Sequence, residues 1–128
     1  MDPATTIILF AHGSSVAEAN RQVAELAAEV GRRAGCQAAC AFLDVTPPDL
    51  AAAVADAARN GARRVVVLPY FLTMGVHAKE DLPRLVAAQR ARFPQLQILL
   101  GPSLESYPGM ADVLLDRFRA ALAGKETS

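Results

Sequence analysis

Residues 64–69, Arg64-Val65-Val66-Val67-Leu68-Pro69, decide the fold. Side chains branched at Cβ fit a pleated surface better than a helical turn. The run does not alternate apolar with polar residues. A strand with one wet face alternates, whereas a strand covered on both faces reads as a continuous apolar run. Residues 64–69 therefore read as an inner strand of a parallel sheet.

The flanking segments complete the pattern. Upstream, Thr5 to Ala11 is a short β-rich run, followed by the turn residues Gly13-Ser14-Ser15. From Val16 to Ala34 the apolar residues fall at helical spacing, and Gly35 supplies a stop. Ala38 to Leu43 reads as a second strand. Thr46-Pro47-Pro48-Asp49 reads as a helix N-cap with proline in the first turn, and the Ala-rich helix after it ends at Asn60-Gly61. Downstream, Lys79 to Phe93 places Leu82, Leu85, Val86, Gln89 and Phe93 on one side of a helix. Gln97 to Leu100 is a fourth strand, and Met110, Val113, Leu114, Phe118 and Leu122 mark a last helix.

The order is βαβαβαβα. It predicts a single doubly wound α/β domain over residues 1–123, with a four-stranded parallel sheet in the flavodoxin-like order 2-1-3-4 and helices on both faces. Residues 124–128 read as a flexible C-terminal tail.

Composition narrows the function. The chain has 128 residues, with 13 Lys plus Arg against 13 Asp plus Glu. Zero formal net charge argues against a nucleic-acid binder or a polybasic membrane-surface protein. Trp is absent and aromatic residues are 5%, so recognition of bases by stacking is disfavoured. No apolar run approaches the ~20 residues that span a bilayer, and Met1-Asp2-Pro3 opens no secretory signal, so the expected compartment is the cytoplasm. Cys36 and Cys40 make no disulfide framework and read as buried thiols away from the site loops.

Ligands of an open parallel sheet bind beyond the carboxyl ends of its strands. The loops in question follow Ala11, Leu43, Pro69 and Leu100. The chain has two histidines, and both lie in these loops: His12 directly after the first strand, His77 near the start of the third helix. In the order 2-1-3-4 the two loops are neighbours, so the imidazoles are placed to converge. They read as ligands of a divalent metal or as an acid–base pair. The competing reading is a strand-end histidine bonded to a loop carbonyl and a solvated one at a helix start.

Asp44 ends the second strand and reads equally as a carboxylate near the metal or as part of a turn into Thr46. Glu105 follows the fourth strand and reads foremost as a solvated loop acid. Glu80 and Asp81 are placed in the first turn of the third helix, complementing its dipole. Gly13-Ser14-Ser15 resembles an anion-binding turn but lacks the glycine pattern of a nucleotide site, and Ser14 or Ser15 reads as an N-cap. Ser14 beside His12 has no G-x-S-x-G elbow of a serine hydrolase, and i, i+2 spacing is poor evidence for that geometry. Tyr70-Phe71-Leu72-Thr73-Met74-Gly75-Val76 is apolar where loops are normally polar, and reads as a wall for a flat apolar ligand, an oligomer interface, or both.

Two motifs now carry a resemblance. Phe10-Ala11-His12-Gly13-Ser14, together with Pro69-Tyr70-Phe71-Leu72 and the following Gly75 and His77, resembles the small CbiX-type sirohydrochlorin chelatases. The likeness extends through Asp81-Leu82-Pro83 and, more loosely, Gly101-Pro102-Ser103-Leu104. It implies a chelatase-like fold and insertion of a divalent metal into a tetrapyrrole without ATP or any other nucleotide. It implies that His12 and His77 bind the metal or act as base, and that Asp44 stands where the family commonly has Glu. Glu105 stands where the family often has Gly. Larger relatives have two such lobes across a cleft, so the resemblance implies a homodimer with its site between subunits. Gly13, Ser14 and residues 70–76 would meet the macrocycle, and Lys79 and Arg84 its carboxylates. The expected metal is Co2+, then Fe2+, with Ni2+ also open. Alternative readings are a non-catalytic metal or tetrapyrrole carrier using the same two histidines, or a phosphate-ligand binder at Gly13-Ser14-Ser15.

Overall fold

The computed structural model describes residues 4–127, apart from the side chain of His77; Ser128, the end of the expected tail, lies outside the described residues. The elements are β1 (Thr5–Ala11), α1 (Ala17–Ala34), β2 (Gln37–Phe42), α2 (Leu50–Arg59), β3 (Arg64–Pro69), α3 (Val76–Arg92), β4 (Gln97–Leu100) and α4 (Gly109–Leu122). The sheet has the order β2-β1-β3-β4, with every pairing parallel. This is the expected doubly wound α/β arrangement. No helix among the described residues is long and apolar enough to cross a membrane.

The two faces of the sheet are unequal. Residues of alternating parity point to opposite faces of a strand. Ile8, Phe10, Val65, Val67 and Ile98 form one buried face against Leu50, Ala53, Val54 and Ala57 of α2 and Leu82 and Val86 of α3. On the other face Ile7, Leu9 and Ala11 are buried. There α1 packs against β1 and β2, with Ala27 and Gly31 buried. Val66, Leu68 and Leu99 on the β3–β4 half of that face remain half-buried or exposed, Leu99 at 40%.

Helix α4 would be expected to cover that strip, and it does not. Among the described residues none of α4 is buried. Val113, Leu114, Leu115, Phe118 and Leu122 are all exposed, Leu122 at 74%. The apolar spacing that marks α4 as a helix therefore points away from this chain's own core.

The helix starts differ from those expected. The cap of α2 is Asp49, whose side chain accepts from the Ala52 amide at 2.8 Å, and not Thr46. Proline pushes its predecessor out of the helical region. Thr46 and Pro47 both precede a proline, so the helix starts only beyond them, and the Pro48 carbonyl accepts from the Phe42 amide at 2.8 Å instead. Helix α1 starts at Ala17 with Val16 at the cap position, and α3 starts at Val76, earlier than Lys79. Glu80 and Asp81 thus stand in the second turn of α3, where Asp81 pairs with Arg84 at 3.4 Å. Cys36 and Cys40 are both half-buried, not buried, because β2 is an edge strand.

Candidate functional site

The carboxyl ends of β1, β2 and β3 lie side by side. Phe10 of β1 is in register with Pro69 of β3, and Ala11 with Phe42 of β2. The loops leaving these strands stay tied together. The Tyr70 amide donates to the Phe10 carbonyl at 2.7 Å, and the Asp44 amide donates to the His12 carbonyl at 3.0 Å. His12 is thus held through its own backbone at the centre of the sheet end, with its side chain exposed.

Gly13 makes that approach possible. Its φ is +98°, and a Cβ there would sit 2.1 Å from the Asp44 carbonyl oxygen. The turn beyond it is clasped by Asn20 of α1. The Ser14 amide donates to Asn20 Oδ1 at 2.9 Å, and Asn20 Nδ2 donates to the Ser14 carbonyl at 2.7 Å. The Val16 amide donates to Ser14 Oγ at 3.0 Å. Ser14 and Ser15 are therefore not the N-cap of α1. The amides of Ser14 and Val16 are thus engaged inside the chain, which leaves fewer donors for an anion at Gly13-Ser14-Ser15. The sequence reading missed Asn20. An Asn early in a helix that follows a Gly-Ser turn was the available signal.

Asp44 is exposed and shapes its own loop: Oδ1 accepts from the Val45 amide at 2.7 Å, while the Asp44 carbonyl accepts from Thr46 at 2.8 Å. It faces the His12 loop from the side opposite β3. Among the described residues no three His, Cys, Asp or Glu side chains are gathered to hold a metal.

On the other side of β1, the loop from Tyr70 to Gly75 is anchored at its start. Phe71 packs against the core and meets the Phe10 ring edge-on, with centroids 6.2 Å apart and planes at 68°. Met74 also packs inward, whereas Leu72, Thr73 and Gly75 are exposed. Val76 opens α3, and His77 follows it in the first turn; the His77 side chain lies outside the described residues.

Glu105 is not the solvated acid expected from the sequence. Its Oε2 accepts from the Met74 amide at 3.0 Å, and Oε1 pairs with Lys79 Nζ at 3.3 Å. The Met74 amide first, and Lys79 second, hold the Glu105 carboxyl below its ordinary range. Lys79 and Arg84 are both paired with carboxylates of this chain.

The surface at this end is unusually apolar. Val16, Val45, Tyr70, Leu72, Val76 and Tyr107 are all exposed, Leu72 at 68% and Val76 at 70%. Each lies in a loop or helix start at the carboxyl end of the sheet, the end that also carries His12. A cleft lined by Met74, Lys79, Leu82, Pro83 and Glu105 opens here with a volume of about 200 Å³. A second cleft of about 490 Å³ lies beside Asp44 and Val45 in the loop after β2, and both clefts lie open to solvent, so this end of one chain is a wall and not an enclosure.

The comparisons with known proteins bear on the family and the fold. Residues 6–121 match the family model described as CbiX. The chain is 28% identical to a sirohydrochlorin cobaltochelatase of Methanopyrus kandleri, covering 91% of this chain and 96% of that one. It is 30% identical to the chloroplastic sirohydrochlorin ferrochelatase of Arabidopsis thaliana, covering 94% of this chain but 54% of that one. Among solved structures, a protein described as cobalamin biosynthesis CbiX from Marinobacter aquaeolei VT8 superposes with a TM-score of 0.82 at 27% identity, covering 94% of this chain and 99% of that one. The sirohydrochlorin chelatase SirB from Bacillus subtilis subspecies spizizenii, in complex with cobalt, shares the fold with a TM-score of 0.81 at 22% identity; the match covers 90% of this chain and half of that one.

Proposed function

Because the chain belongs to the CbiX family, we propose that it inserts a divalent metal into sirohydrochlorin without ATP, Co2+ being favoured and Fe2+ next. The observation that carries this reading is the coincidence of an exposed histidine, His12, with an exposed apolar rim at one end of the sheet. A flat macrocycle needs an apolar surface to lie on, and a metal in transit needs ligands that can let it go.

Neutral imidazole meets the second need. It binds Co2+, Fe2+ and Ni2+ through one lone pair and exchanges more readily than a closed set of thiolates. In this reading His12 and His77 hold the metal beside the macrocycle, which rests on Tyr70 to Val76 and approaches Gly13 and Ser14. Two pyrrole protons leave as the metal enters, and a histidine or Asp44 accepts them. The metal then passes from imidazole to ring nitrogens. The adjacency of β1 and β3 and the tie between Asp44 and His12 support this placement. The names of the relatives support both cobalt and iron as substrates.

The same reading includes a homodimer with the site between subunits. One chain offers a single wall, and it spans about half the length of the Arabidopsis relative. The exposed apolar face of α4 and the incompletely covered Val66, Leu68 and Leu99 supply complementary surfaces for a second copy. Val113, Leu114, Leu115, Phe118 and Leu122 are the exposed apolar side chains that such an interface would cover.

The test is an anaerobic absorbance assay of sirohydrochlorin with Co2+, Fe2+ and Ni2+ in turn, using wild type and His77→Ala. Multiple turnovers above the metal-only rate, lost in the variant, are expected. A spectral change that saturates at one ligand per site, without turnover, would identify a carrier instead.

A further inference from the structure

We propose that Glu105 is a positioning residue that sets the start of α3, and with it His77, for metal transfer; this inference rests on the chelatase reading above. The argument begins with what α3 lacks. Its N-cap, Gly75, has no side chain and makes no side-chain cap bond. The Met74 amide taken by Glu105 precedes this cap, so the carboxylate restrains the approach to the helix rather than its first amides. The loop that delivers the chain to this helix is fixed at its beginning by Tyr70 and Phe71, but Leu72, Thr73 and Gly75 are exposed.

Glu105 supplies the missing restraint from another loop. One carboxylate oxygen takes the Met74 amide, three residues before His77, and the other takes Lys79, two residues after it. The carboxylate therefore brackets the histidine's backbone without being its neighbour in sequence. Met74 packs into the core from the same point, so the bond also fixes which way the loop turns. A bond between a charged acceptor and a backbone amide is stronger and more directional than a neutral one. Groups that support a metal ligand from outside the ligand set tune how well the metal is held.

The alternatives differ in what they need. A carboxylate that ligated the metal or took a proton would have to keep its charge. A positioning carboxylate needs an acceptor at the right place. Glu105→Gln keeps an acceptor for Met74 and loses the pair with Lys79; Glu105→Ala loses both. The experiment measures turnover of sirohydrochlorin against Co2+ concentration for wild type and both variants, together with exchange of the Met74 amide by NMR. Glu105→Ala is expected to raise the KM for Co2+ about tenfold, the lower end for loss of an outer support. It should also expose the Met74 amide to exchange. Glu105→Gln is expected to stay within about threefold of wild type with Met74 still protected. Should Glu105→Ala fail to fold, Glu105→Ser, which also cannot reach Met74, replaces it.

A Gln variant as impaired as the Ala variant, with Met74 protected, would overturn the proposal in favour of direct chemistry by the carboxylate. An Ala variant with the wild-type KM and kcat would overturn it outright. Absence of turnover by wild type would instead refute the chelatase reading, and this inference would fall with it.

Discussion

Replacing Gly13 by alanine adds one methyl group at the most crowded point of the site. The new Cβ would stand 2.1 Å from the Asp44 carbonyl oxygen, and real Cβ atoms essentially never come nearer than 3.0 Å, so about 0.9 Å of retreat is needed. That oxygen cannot retreat freely, since it accepts from Thr46 at 2.8 Å, and the same residue's amide holds the His12 carbonyl at 3.0 Å. Two costs combine. Left-handed backbone costs an L-residue ~1–2 kcal/mol, and overpacking costs ~1–3 kcal/mol. The sum is about 2–5 kcal/mol, large for one methyl group but within the range of strained and overpacked sites. For a domain of this size each kcal/mol moves Tm by roughly 3–5 °C, so Gly13→Ala should melt about 6–25 °C below wild type. Circular dichroism melting at one protein concentration measures this. A Tm within ~2 °C of wild type would show that the two loops do not approach as closely as described, and the account of how His12 is held would be wrong.

Four other outcomes are expected. His12→Ala should abolish turnover while shifting Tm by less than ~2 °C, since its side chain is exposed; normal turnover would remove His12 from the mechanism. Gly75→Ala should leave Tm unchanged or slightly raised, because a Cβ there meets nothing within 4 Å and φ is −67°; lost turnover with Tm intact would place the macrocycle against that backbone. The Glu105 carboxyl is held below its ordinary range, by the Met74 amide first, so its contribution is complete above the unfolded value and disappears only as pH falls through the lower folded one. Met74 amide protection should therefore persist at pH 5, and its loss there in NMR exchange would refute the tie. Phe118→Asp on α4 should give a monomer in sedimentation equilibrium where wild type is a dimer; a monomeric wild type would refute the dimer reading.

Much of the fold was legible because its signals are local and repeated. The run Val65-Val66-Val67 marks an inner strand without reference to any other residue, and the alternation of strands with helices fixes a parallel sheet. The helix starts were less legible. The cap of α2 lies at Asp49 and not Thr46 because each proline keeps the residue before it out of the helix and Pro48 gives its carbonyl to Phe42, a residue of another element. The last helix shows the limit of periodicity. Its spacing declares an apolar face, but spacing contains nothing about which surface that face meets.

The candidate site divides in the same way. His12 and His77 stand out as candidates in the sequence because a parallel sheet gathers its loops at one end, and both histidines lie in those loops. The partners that hold the site were not. Asn20 clasps the Ser14 turn, the Asp44 carbonyl crowds Gly13, and Glu105 reaches back across 31 residues to Met74. The sequence by itself determined the sheet, its order and the loops at its carboxyl end, since these follow from short-range pattern and the handedness of crossovers. Only the tertiary structure decided which backbone amide each polar side chain satisfies. Hydrogen bonds act over about 3 Å, and only the folded chain brings residues distant in sequence within that reach.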